Sequence, residues 1–285
     1  MKPYLLFPIF FRPIGIVLAL IGLVFGYIYL FQDKVLIFAD HGSGNFTDEL
    51  GTTCEVLGLI FIGFSRLKNE DERTSGIRLN ALYWAVVSDL IFRFANFGLL
   101  SLGNWLKIGF IHRIAVFDDL EIFFPLVIFI ARFYFLLYSA REGRKESSLF
   151  LLPYKPYLLI VKSICILFFI LIWAIIQFSA IDDLIKKDLP TELFILFPIC
   201  LLIWIWSKEK NETTDIEKVR LKAMHIAVYI NYFLFLIATW VIYGFAYLQV
   251  LIAGLLSIPI IYLAVFYLLL PVPKIDQIET ETMTL

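Results

Sequence analysis

Charge is scarce in this chain, and so are histidine, cysteine and methionine. Only 17% of residues are charged, three are histidine and three are cysteine, and the formal net charge is −1. A chain this poor in charge and this rich in apolar residues (61%, with 29 Phe, 14 Tyr and 6 Trp) carries more apolar surface than a soluble fold of 285 residues can hide. The near-neutral balance lacks the basic face that nucleic-acid binding needs, so no nucleic-acid partner is expected. Cys54, Cys165 and Cys200 all fall in apolar segments, where they read as small core residues rather than a disulfide framework.

Catalytic and metal-binding patterns are also missing. His41, His112 and His225 are too far apart in sequence for a helical His-x-x-x-His metal pair, and no phosphate-binding glycine loop occurs. The Asp40-His41-Gly42-Ser43-Gly44 stretch places a hydroxyl beside a base, but without the strand-turn-helix setting of a nucleophile elbow it reads as a turn-rich loop. No cofactor and no metal are expected. The first apolar run follows Arg12 without a small-residue cleavage site and reads as a retained helix.

What the chain does contain is a duplication. Ser65 to Val86 aligns without a gap on Ser207 to Val228, giving the identities Ser65/Ser207, Lys68/Lys210, Asn69/Asn211, Glu70/Glu212, Arg78/Arg220, Leu79/Leu221, Ala81/Ala223, Ala85/Ala227 and Val86/Val228. Further out, Arg12-Pro13 meets Lys155-Pro156 and Glu49-Leu50 meets Glu192-Leu193. Eight apolar segments, near 13–32, 50–65, 79–101, 121–139, 156–179, 191–206, 221–245 and 247–270, are candidates for spans of about 20 residues, the second and sixth being short. The fold class read from this is all-α: a polytopic membrane protein with eight transmembrane helices arranged as two parallel four-helix repeats, 1–140 and 141–285. Acids at Glu70-Asp71-Glu72 and Asp215-Ile216-Glu217 place the starts of the third and seventh helices below the apolar runs, about two turns outside the membrane.

Lys and Arg concentrate at one side of these segments. The N-terminus, the 66–78, 140–155 and 208–222 loops and the tail hold sixteen, against Lys34, Lys107, Arg113, Lys186 and Lys187 on the other side. The positive-inside rule then predicts cytoplasmic termini and a bacterial inner-membrane location. Outside, residues Leu102 to Leu120 read as an interfacial insertion, and Ala246 to Gln249 as a tight turn between the last two helices.

Glu55, Asp89, Arg93 and Arg132 lie within the apolar segments, where charge is costly and therefore marks structure or function. Counting along the helices predicts that Asp89 meets Arg132 at mid-depth and Glu55 meets Arg93 nearer the outside, with Asp89 and Arg93 one turn apart. At an offset of 142 residues Asp89 corresponds to Asn231 and Arg93 to Phe235, so any such network belongs to the first repeat. Three readings stay open for it: a clamp fixing helix packing, a solute or proton site, and a sensing switch. Pro125, Pro198 and Pro259 are the only candidate helix breaks near mid-depth, and no glycine run flanks them.

The run Ser65-Arg66-Leu67-Lys68-Asn69-Glu70-Asp71-Glu72, with Ile77-Arg78-Leu79, Leu82-Tyr83-Trp84-Ala85-Val86 and the Ile130-Ala131-Arg132-Phe133-Tyr134-Phe135-Leu136-Leu137-Tyr138 segment, resembles a family of uncharacterised multi-pass inner-membrane proteins of Bacteroidota. The resemblance covers residues 55–140 and part of the second repeat, where Thr213-Thr214 replace Asp71-Glu72. It implies fold and compartment, since that family has no established activity. The repeated motif offers either helix capping or a cytoplasmic surface for a protein partner, made of Lys68, Glu70, Arg78, Lys210, Glu212 and Arg220. The functional expectation is a non-enzymatic sensor, regulator or scaffold in the lipid bilayer, with a small-solute or proton-coupled transporter using Asp89 and Arg132 as the alternative.

Overall fold

The structure, a computed structural model, describes residues 6–32, 46–68, 70–106, 122–141, 151–177, 193–210, 212–242 and 245–270. Among them it is all-helical, with eight helices and no strands beyond two isolated bridges. The helices are α1 (Phe11–Gln32), α2 (Thr47–Phe64), α3 (Glu72–Leu106), α4 (Phe124–Arg141), α5 (Tyr157–Gln177), α6 (Leu193–Trp206), α7 (Thr214–Val241) and α8 (Phe245–Leu269).

Local chemistry sets the helix ends. Asp71 caps α3, its Oδ1 accepting from the Thr74 amide at 2.7 Å, and Thr213 caps α7 through its hydroxyl oxygen, which accepts from the Ile216 amide at 3.4 Å. The exchange of Asp71 for Thr213 between the repeats therefore keeps the capping role. After α2 the chain turns extended at Ser65 (φ −79°, ψ 142°), and a short bridge pairs Phe7 with Ser65. Leu152 and Ser207 form the same bridge after α6. In both repeats the serine hydroxyl donates back into the last helical turn, Ser65 to the Phe61 carbonyl at 2.5 Å and Ser207 to the Ile203 carbonyl at 2.6 Å.

Two boundaries differ from the sequence reading. Helix α3 continues to Leu106, absorbing the start of the expected 102–120 insertion, whose remainder from 107 to 120 lies outside the described residues. The break between the last two helices comes at Ile242, not at Ala246 to Gln249: Ile242 is extended (φ −113°, ψ 123°), and α8 has begun by Phe245.

Packing follows the duplication. Within the halves α1 packs on α2 as α5 does on α6, α3 on α4 as α7 on α8, and α2 on α4 as α6 on α8. Between the halves α3 meets α7, α3 meets α6, and α7 meets α2. This set maps onto itself when the halves are exchanged, as a two-fold axis between α3 and α7 requires. The helices approach along small residues: Ala81 and Ala85 on α3 and Ala223 and Ala227 on α7 are fully buried, one turn apart on each helix. That accounts for four of the repeated positions. Tyr83 reaches Ile205 across the seam and His225 stacks on Phe64, so equivalent levels lie side by side and the halves run in the same direction.

Helices α1 and α2 pack closely through glycine. A Cβ on Gly58 would sit 2.5 Å from the Ala19 amide nitrogen, and one on Gly22 would sit 2.7 Å from that of Glu55. The opposite faces of α1 and α5 are apolar and open: Val17, Leu20 and Val24 on one, and Ile160, Leu167 and Ile170 on the other, are all more than half exposed. Among the described residues two helices, over Phe11–Ile28 and Thr214–Val241, are long and apolar enough to cross a membrane.

Candidate functional site

Two polar assemblies emerge, one repeated and one placed on the seam. The repeated assembly surrounds Arg78 and Arg220, which are 2% and 1% exposed. The Arg78 guanidinium holds Glu70 through Nη2 at 2.9 and 3.2 Å and Nε at 3.4 Å, donates from Nη1 to the Gly63 carbonyl, and lies 4.3 Å over the Phe133 ring. Arg220 does the same with Glu212 (Nη2 at 3.0 Å, Nε at 3.2 Å) and the Ile205 carbonyl at 3.0 Å, over Phe266 at 4.9 Å, with added bonds to the Tyr262 hydroxyl at 3.0 Å and the Ser207 carbonyl at 3.2 Å. Each glutamate also closes its own loop, Glu70 accepting from the Leu67 amide at 2.9 Å and Glu212 from the Glu209 amide at 2.8 Å.

This corrects the partner surface drawn from the repeated motif. Glu70, Arg78, Glu212 and Arg220 are buried in clamps that tie the end of one helix to the start of the next, and a buried pair offers nothing to a partner protein. Only Lys68 and Lys210 remain exposed. Beside each clamp the chain crosses the seam. Tyr83 Oη donates to the Ile205 carbonyl at 2.9 Å, while His225, its counterpart at an offset of 142 residues, stacks on Phe64 (5.0 Å) and on Tyr229 (4.9 Å), which also touch each other (4.8 Å).

The second assembly is a cavity of about 190 Å³ between α3, α7, α8 and residues 122–125. Asp89 and Arg93 enter it from one half and Asn231 and Ser257 from the other, among apolar walls. Arg93 Nε donates to Asp89 Oδ2 at 2.8 Å, so the i,i+4 relation on α3 is realised as an ion pair. The Ser257 hydroxyl lies against the Asn231 side-chain oxygen and 2.9 Å from the Gly254 carbonyl. Tyr232 Oη donates to the Ile122 carbonyl at 2.8 Å, tying the segment before α4 to α7. Pro259 and Gly254 of α8 also line this cavity. A Cβ at Gly254 would meet nothing within 4 Å.

The expected Asp89–Arg132 pair is not formed. Arg132 lies with Cζ 5.5 Å over the Trp84 ring, and its Nε has no hydrogen-bond partner among the described residues. The reason is register. The Phe92–Phe124 contact (4.7 Å) and the Arg132–Trp84 contact align antiparallel α3 and α4 so that Arg132 sits level with Trp84. That is five positions, about 7.5 Å, below Asp89. Counting from helix ends failed because the outer ends are not level: α4 begins at Phe124, beside Phe92, while α3 runs on to Leu106. Glu55 faces α1 through its contact with Gly22, and no ion pair joins it to Arg93 among the described residues. The polar network is thus the Asp89–Arg93 pair with Asn231 and Ser257.

One cluster has no forerunner in the sequence reading. Lys162 of α5 binds Glu209 at 2.9 and 3.0 Å and lies 5.3 Å over Tyr267, whose hydroxyl donates to Glu209 at 2.6 Å and accepts from Trp204 Nε1 at 2.9 Å. A lysine inside an otherwise apolar helix was the available signal. Among the described residues no group of three or more His, Cys, Asp or Glu side chains is placed to hold a metal. Comparison with protein-family models, with curated proteins and with solved structures returned no match.

Proposed function

We propose that this chain is an eight-span inner-membrane protein, cytoplasmic at both termini, that acts without catalysis as a sensor or regulator and recognises a small polar solute in the cavity on the seam. The observation that carries the reading is the cavity's position: a carboxylate–guanidinium pair, an amide and a hydroxyl converge where the two halves meet. A solute held there contacts α3, α7 and α8 together, so its binding free energy depends on how the halves pack, which is what couples a site to a conformational state. The open apolar faces of α1 and α5 support the membrane setting, since apolar stripes of that size are covered by lipid or partner. The resemblance of residues 55–140 to the Bacteroidota inner-membrane family would imply the same placement.

Gly254 supplies the test. Because a Cβ there would meet nothing within 4 Å and Gly254 lines the cavity, Gly254→Leu should fill the cavity and leave the fold standing. The expected outcome is membrane expression at the wild-type level with loss of the cellular phenotype. Full phenotype with a filled cavity would remove the proposal. Transport is the second reading, favoured by Pro259 in the cavity wall, which removes a backbone donor from the otherwise continuous α8 beside the site. Solute flux in proteoliposomes that Gly254→Leu abolishes would select it over sensing.

A further inference from the structure

The two repeats also differ at one corner, beside the clamps. In the second repeat the corner is filled from within: the Glu209 carboxylate is held by Lys162 Nζ and the Tyr267 hydroxyl, beside Trp204. The first repeat keeps the tyrosine and lacks the anion; Ile62 stands at the Trp204 position and Ala19 at that of Lys162, and Arg12 supplies the cation on the tyrosine face instead. Phe133 and Phe266 both underlie the clamp arginines, so their neighbours Tyr134 and Tyr267 are equivalent, and Glu209 corresponds to Leu67 at an offset of 142 residues. The result is a cavity of about 700 Å³ lined by Arg12, Lys68, Arg73, Asp71 and Tyr134.

We propose that this corner binds a phosphate-bearing anion, which takes the place that the Glu209 carboxylate fills in the other repeat. Three cations line the cavity against one carboxylate, and that carboxylate already caps α3 through the Thr74 amide. Arg12 stacks at 5.0 Å on the face of Tyr134. The Tyr134 hydroxyl is buried with no hydrogen-bond partner among the described residues, whereas its equivalent Tyr267 donates to a carboxylate. A buried hydroxyl beside clustered cations is a donor set for an oxyanion. The cavity far exceeds a single phosphate, and exposed Phe10 and Tyr138 flank this end as interfacial aromatics do. An anionic phospholipid headgroup fits that setting, and free phosphate shares its chemistry.

The site rests on the membrane reading but not on the seam cavity. Native mass spectrometry of protein released from nanodiscs of mixed phosphatidylglycerol and phosphatidylcholine tests it. Assembly into nanodiscs reports the membrane reading, and the identity of the retained lipid reports the site. Wild type should retain phosphatidylglycerol preferentially, with retention falling about fivefold for each of Arg12→Gln and Lys68→Gln. Leu67→Glu, which supplies the second repeat's carboxylate, should abolish the preference. Tyr134→Phe should weaken it, and Tyr267→Phe should not. Preferential retention that inorganic phosphate leaves intact assigns the site to the headgroup. A thermal shift with inorganic phosphate alone, lost in Leu67→Glu, assigns it to soluble phosphate. Equal retention of both lipids with no phosphate effect would overturn the proposal. So would a nanodisc-competent Leu67→Glu with unchanged preference, or, if that variant fails to assemble, an unchanged preference in Lys68→Gln and Tyr134→Phe.

Discussion

Removing Glu70 should be among the most damaging single changes available in this protein. Its carboxylate and the Arg78 guanidinium are 5% and 2% exposed, so solvent screens neither, and Glu70→Gln leaves a buried cation with a neutral amide in place of its counter-charge. Breaking a buried pair from one side typically costs about 3–5 kcal/mol, because the surviving charge has lost its compensation and cannot regain water. Glu212→Gln should cost roughly 1–2 kcal/mol less, since Arg220 keeps Ile205, Ser207 and Tyr262 oxygens at 3.0–3.2 Å. Arg78→Met combined with Glu70→Gln should recover much of the loss, as neutral partners need no compensation. Reversible unfolding in mixed micelles, followed for the four species of the cycle, reads these differences directly. A Glu70→Gln cost under about 1 kcal/mol, or a cycle with additive losses, would mean that the pair contributes no coupling and the reasoning fails.

Further outcomes follow from the same geometry. Asp89→Asn and Arg93→Gln should be coupled in a double-mutant cycle while Asp89→Asn and Arg132→Gln add independently; coupling of the second pair instead would place Arg132 back beside Asp89. Gly58→Val should separate α1 from α2 and destabilise by about 2–3 kcal/mol, since its Cβ would meet Ala19 backbone; a neutral effect in the same unfolding assay would show that α1 is not packed this closely. The Thr74 hydrogen bonds hold the Asp71 carboxyl below the usual aspartate range, so its capping contribution is present above that range and is lost only as pH falls through the depressed value. Thr213 does not titrate, so amide protection at the start of α3, taken relative to the intrinsic exchange rate at each pH, should fall on acidification and that at the start of α7 should not; simultaneous loss would refute the assignment. A cysteine at Ser75, in a variant freed of Cys54, Cys165 and Cys200, should react with impermeant reagents only from the cytoplasmic side; labelling from outside inverts the topology.

Sequence alone exposed the helices and the duplication because both are written in local pattern: apolar runs, acidic helix starts and a gapless repeat. It did not expose what the repeated residues do. Arg78 and Arg220 stand between polar loops and apolar runs, where an arginine looks solvated, and only the fold shows each turned inward onto the preceding helix end. Polar residues paired across helices were harder still. Depth counted from helix ends assumes that neighbouring ends are level, and an α4 that begins beside Phe92 was enough to carry Arg132 away from Asp89. The glycine contact of α1 with α2 was legible in principle, since Gly15, Ala19, Gly22, Gly51 and Gly58 recur at helical spacing, but small residues announce an interface only once the facing helix is known.

Where the repeats agree and where they diverge follows from the axis. The clamp ion pairs lie off the axis, and Glu70–Arg78 and Glu212–Arg220 each form within their own half, so two like pairs coexist without meeting. Positions beside the axis face their own counterparts. Had both halves kept Asp89, two carboxylates would share one apolar cavity, and like charges so placed force one of them to take up a proton. Asn231 at that position removes the repulsion and keeps a hydrogen-bonding group, and Phe235 in place of Arg93 removes the second cation that would then have no carboxylate. A single ion pair facing an amide and a hydroxyl is a combination that two identical halves cannot build. Duplication within one chain therefore supplies the asymmetric cavity, and the divergence of Asp89 from Asn231 and of Arg93 from Phe235 is concentrated at the place where a solute would bind.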